Sequence, residues 1–197
     1  MSARTARRGA LSGLAATAAW IALGAESAVR GGEMHYRDLL LVIPWTLTMA
    51  TLWYLHVLQR DPCRRLERWS FRAVVSSMIL VLVGGAGLLL DIDALKMLGF
   101  PLGALLWLTT MALFGTATAR AGVVGRYVGV ALALLEPGAL LGGLLLSPIL
   151  PVYDRGNYWG GLEKGLVILV LARALWRLAH NQSPHANQQA PQTVANH

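Results

Sequence analysis

The chain has 197 residues, 55% of them hydrophobic, with a positive mean hydropathy of +0.52 and a formal net charge of +7. This is more apolar than the core of a soluble domain requires, and it argues against a water-filled exterior. A basic balance in a soluble chain would suggest nucleic acid; here the placement of the cations matches a membrane topology signal instead, and no nucleic-acid partner is expected. The lone Cys63 excludes an internal disulfide framework.

Six apolar runs follow one another, at residues 9–29, 38–58, 73–92, 97–118, 126–148 and 159–179. Each is close to the roughly 20 residues that cross a hydrocarbon core about 30 Å thick, and none alternates with the period of two that a membrane strand would need. The expected fold is therefore all-α: a polytopic bundle of six transmembrane helices over residues 1–180. Residues 181–197, rich in Asn, Gln and Pro, are expected to form a disordered tail.

The first run follows Arg4, Arg7 and Arg8 and ends near Ala25, Glu26, Ser27 and Ala28, which imitates a secretory signal; retention as a span is the favoured reading. The segment QRDPCRRLERWSFR, residues 59–72, joins the second and third runs and is the most basic in the chain. With the N-terminus inside, twelve of the 17 Lys and Arg residues fall on the cytoplasmic side; the other five, Arg30, Arg37, Lys96, Arg155 and Lys164, face outward. The positive-inside rule then gives a multi-pass protein of the cell membrane with both termini cytoplasmic, and the bilayer is its first partner.

Several glycine pairs recur at four-residue spacing: Gly9 with Gly13, Gly99 with Gly103, Gly125 with Gly129, Gly138 with Gly142, and Gly161 with Gly165. Such stripes allow close helix packing, within one bundle or across a homodimer or partner-subunit face. Pro44 and Pro137 interrupt the second and fifth runs, counterpart spans of the two halves. That is a pointer to an inverted repeat, although the halves show no sequence similarity.

Chemistry is expected where charge is buried. Glu136 lies near the centre of the fifth run, where a carboxylate is costly unless it faces the bundle interior, is protonated or meets a cation. Pro137 and Gly138 loosen the helix beside it, so the three form a candidate ion, proton or substrate site. Glu163 and the deep Trp20 and Trp107, with Trp159 in the outer segment VYDRGNYWGGLEKG, complete the candidate binding set. A transport or permeation protein for a small solute or lipid-like molecule is the leading reading. An intramembrane enzyme acting on an isoprenoid or other lipid is the alternative, with Glu136, Glu26 or Asp91 as general acid. A non-catalytic accessory or immunity protein is the third.

His35 and His56 lie toward opposite ends of the second run and do not suit a haem; no metal spacing or nucleotide loop is present, and no cofactor is assigned. The stretch LFGTATARAGVVGRYVGVALALLEPG, Leu113 to Gly138, resembles a pattern in small actinobacterial multi-span membrane proteins of uncharacterised function. That resemblance implies the span organisation and no activity.

Overall fold

The computed structural model describes residues 2–30, 35–59, 65–146 and 160–188. Nearly all of those residues are helical, with no strand among them. The helices are α1 (Ala3–Arg30), α2 (His35–Leu40), α3 (Val42–Gln59), α4 (Leu66–Leu90), α5 (Asp93–Met97), α6 (Ala104–Ala121), α7 (Arg126–Ala133), α8 (Leu135–Leu146) and α9 (Gly160–Gln188). A π-helical segment, Leu98–Gly103, joins α5 to α6.

Three of the apolar runs are broken, and the breaks obey one rule. Proline at position i has no N–H to give the carbonyl of residue i−4, and its ring crowds that carbonyl. Pro44 follows the end of α2 at Leu40, Pro101 follows the end of α5 at Met97, and Pro137 follows the end of α7 at Ala133. Each helix stops at the residue four before its proline. Beyond the break the chain resumes as α3, the π segment and α8. In α3 and α8 the proline lies in the first turn, where an absent N–H forfeits no intrahelical bond.

Neighbours in sequence are neighbours in space. Helix α1 packs on α3, α3 on α4, α4 on the π segment and α6, α6 on α7, α8 on α9, and α9 back on α1. The interior of this ring is filled by Leu52, Leu55, Phe71, Val74, Met78, Met111, Phe114, Leu132, Leu171 and Leu175. Outward-facing positions are apolar as well: Leu88, Leu89 and Leu90 on α4, Leu105 and Leu113 on α6, and Leu145 and Leu166 on α8 and α9 are all exposed.

By length and composition, α4 is the one helix among the described residues that could cross a membrane by itself. The proline breaks divide three of the other runs into shorter pieces. At its far end α4 stops on Asp91, which adopts a left-handed conformation with φ 55° while Ile92 N–H bonds the Gly87 carbonyl. The tail expectation needs correction in its first part, because α9 continues past residue 180 to Gln188. Extending an existing helix needs no new nucleus, so polar residues can prolong it. Residues 189–197 lie outside the described set, as do Cys63, Arg155 and Trp159.

The glycine stripes largely meet helices of the same chain. Gly13 abuts Ala172, Gly129 abuts Ala119, and Gly161 and Gly165 lie against the backbone of α1 at Trp20 and Thr17. The tightest approach joins α4 to the π segment: a Cβ on Gly99 would stand 2.0 Å from the Gly84 Cα. Gly85, one residue along α4, has nothing within 4 Å. Gly99→Ala should therefore cost about 1–3 kcal/mol through overpacking, whereas Gly85→Ala should leave stability unchanged or slightly raised. Thermal unfolding of the two variants in the same detergent checks this contrast; equal melting temperatures would contradict the close approach.

Candidate functional site

The break at Leu134 sets Glu136 in the first turn of α8, where the helix dipole favours an anion. Its backbone setting differs from a mid-helix kink, since Gly138 N–H already bonds the Leu134 carbonyl at 2.7 Å. From there the Glu136 carboxylate enters the bundle. Its Oε1 accepts the Trp107 Nε1–H at 2.6 Å and lies 3.0 Å from the Lys164 ammonium. Both charged side chains are about five-sixths buried, at 16% and 17% relative exposure, so the pair is shielded from bulk screening.

Lys164 comes from the first turns of α9 and is covered by aromatic faces. Its Nζ lies 5.3 Å from the Trp20 ring centroid and 5.1 Å from that of Trp45. Each contact is of the kind that contributes about 0.5–2 kcal/mol, toward the upper end when water is excluded. The indoles hold one another edge to face: Trp20 and Trp45 are 5.2 Å apart at 79°, and Trp45 and Trp107 are 4.8 Å apart at 86°. Trp20 is anchored further by its Nε1–H, which donates to Thr48 Oγ1 at 2.9 Å.

Five elements thus contribute to one cage: Trp20 from α1, Trp45 and Thr48 from α3, Trp107 from α6, Glu136 from α8 and Lys164 from α9. Two polar atoms close to it in the chain or the cage have no partner although they are buried, Trp45 Nε1 and Glu163 Oε2. A buried donor and a buried acceptor left open are costly, about 1–3 kcal/mol each.

Of the residues singled out from sequence, Glu136, Trp20 and Trp107 converge here. Glu163 precedes Lys164 on α9, and Pro137 lies in the first turn of α8, while a Cβ added at Gly138 would meet nothing within 4 Å. Glu26 and Asp91 hold partners of their own. Glu26 accepts from Tyr36 and from the buried Arg37, whose Nε lies at 2.6 Å and Nη2 at 3.2 Å. Asp91 is exposed and meets Lys96 Nζ at 2.6 Å, with Asp93 at 2.8 Å on the same ammonium. Hydrogen bonds to Asp91 and Asp93 hold the Lys96 ammonium above the usual lysine range.

Two cage members are not among the candidate residues read from the sequence: Trp45, and Lys164, which reads there only as an outward-facing cation. The first-turn prolines were the usable signal for both, because Pro44 begins the helix that carries Trp45 and Pro137 begins the one that brings Glu136 to Lys164. Among the described residues, no group of three or more His, Cys, Asp or Glu side chains is placed to hold a metal ion. No protein-family model, no curated protein and no solved structure matches the chain.

Removing one member of the pair should expose its worth. Lys164→Met should destabilise the protein by about 2–4 kcal/mol by leaving Glu136 without its cation, and adding Glu136→Gln should recover part of that loss. A double-mutant cycle on unfolding in detergent measures the coupling. A coupling near zero would mean that the two charges do not meet in solution.

Proposed function

We propose that the chain crosses the membrane six times with both termini cytoplasmic, and that it is a transport or permeation protein for a small solute or lipid-like molecule, with Glu136 as its interior ion- or proton-binding group. The observation that carries this reading is the Glu136–Lys164 pair inside the tryptophan cage. A carboxylate paired with an internal ammonium can release that ammonium when a proton or an incoming cation takes its place. Such exchange is the elementary step of coupled transport.

The membrane assignment is supported by the apolar exterior, since side chains such as Leu90, Leu105 and Leu145 would be unfavourably hydrated across every face of a soluble bundle. The broken runs remain continuous stretches of apolar sequence whose pieces meet at a single residue, Leu41 or Leu134, or through the π segment. Interrupted helices of this kind are tolerated in lipid where neighbouring helices cover the break. An enzyme using several carboxylates has less support, because Glu26 and Asp91 are each committed to a cation away from the cage.

Reconstituted in liposomes with an interior pH dye, wild type should show solute-coupled proton flux that falls at least about tenfold in Glu136→Gln, the equivalent of a transition-state loss of about 1.4 kcal/mol. Identical flux in both would remove Glu136 from the mechanism. Orientation can be read from the native Cys63, which a membrane-impermeant maleimide should label in inside-out vesicles and not in intact cells.

A further inference from the structure

A second buried polar cluster occupies the opposite half of the bundle, where α3 ends, α4 begins and α6 approaches its last turn. Glu67 and Gln59 are both fully buried, and so is Thr118. His56 and Gln59 lie one turn apart on α3 and share a face. His56 Nδ1 is 2.5 Å from Glu67 Oε1, and the imidazole stacks on Phe71 at 4.2 Å with the planes 5° apart. Gln59 Nε2 donates to Glu67 Oε1 at 3.3 Å and to Thr118 Oγ1 at 3.1 Å.

Those two bonds set the direction of the Gln59 amide, because the reverse orientation would press its oxygen against the carboxylate. The remaining oxygens, Glu67 Oε2 and Gln59 Oε1, are buried and have no donor. Two acceptors on hydrogen-bonded neighbours, both without a donor, are an unusual expense in a protein interior, and a carboxylate oxygen is the costlier of the two. The cluster has acceptors in surplus. What completes it is a positive, oxygen-seeking group.

We propose that Glu67 and Gln59 form a binding site for a small monovalent metal cation, of the sodium or potassium class, with Glu67 Oε2 and Gln59 Oε1 as its protein oxygen ligands and Thr118 Oγ1 holding the Gln59 amide in place by accepting from its Nε2. Carboxylate and amide carbonyl oxygens are ligands that hard cations take. A single carboxylate in a buried site balances one positive charge, whereas divalent sites gather several. His56 is a positioning residue: donating Nδ1–H to Oε1, it turns the carboxylate so that Oε2 faces the ion. Its ring retains 17% exposure, so the cluster is not wholly sealed off.

Arg72 on α4 and Arg120 on α6 add positive charge to the helices that carry the site, so binding depends on the buried carboxylate. The site is separate from the Glu136 cage, and it stands or falls independently of the transport reading.

The purified full-length protein in detergent, with ionic strength held by choline chloride, should bind sodium-22 or, as a potassium surrogate, rubidium-86 in a scintillation proximity assay. The expected result is saturable binding of about one ion per chain, competed by the matching unlabelled salt. Glu67→Gln should abolish it, Thr118→Val and Gln59→Leu should each weaken it about tenfold or more, and Asp93→Asn should leave it unchanged. Circular dichroism identifies any variant that fails to fold, and the Thr118 and Gln59 variants then carry the test. Saturable binding of neither ion to folded wild type would overturn the site, and so would binding that survives all three substitutions in folded protein.

Discussion

The Lys164 ammonium lies within an apolar bundle because Glu136 meets it at 3.0 Å and two indole faces cover it. That interaction has demanding requirements. Desolvating two charges costs several kcal/mol each, and only close pairing, further hydrogen bonds and favourable quadrupoles can offset it. Trp107 supplies the further hydrogen bond to the carboxylate, and Trp20 and Trp45 supply the quadrupoles. To gather them, α1, α3, α6, α8 and α9 must converge on one point. The ring-like order of the helices satisfies that requirement while leaving the exterior apolar.

Backbone chemistry decides where the convergence falls. Pro44 and Pro137 end the helices four residues before them and start new ones, so that Trp45 and Glu136 each ride in the first turn of a helix newly aimed. Pro101 acts likewise at the entry to the π segment, on the element that leads into α6 and Trp107. Three prolines thus set the directions of three of the five helices at the cage. The close contact of Gly84 with Gly99 then holds the π segment against α4, in the manner of small-residue packing in lipid.

Much of this was legible in the sequence, and the limits have physical causes. Runs of apolar residues indicated the all-helical class because their length is a one-dimensional property, while three of them are broken into shorter helices. Glu136 stood out because a carboxylate amid leucines needs a partner, and Trp20 and Trp107 stood out by depth. The identity of that partner did not follow: Lys164 adjoins Glu163 in sequence, yet successive residues on a helix point in different directions, and α9 turns Lys164 toward Glu136. Glu67 read as a loop residue at the edge of a basic segment, and His56 as an isolated imidazole. Their meeting depends on how α3 and α4 rotate about their axes, which hydropathy does not encode.

The molecule therefore carries ionisable side chains in two clusters, Glu136 with Lys164 in one half of the bundle and Glu67 with His56 in the other, with Leu52, Leu55, Met78 and Met111 among the apolar side chains of the core. The central claim is that Lys164 is enclosed by tryptophan. Its most direct test is NMR of the protein in nanodiscs with isotope-labelled lysine, since Lys96 and Lys164 are the only lysines in the chain. Ring currents from Trp20 and Trp45 should move one ε-methylene signal well upfield, and that signal should vanish in Lys164→Arg. Two ε-methylene signals at ordinary solvent-exposed positions would contradict the enclosure and the account built on it.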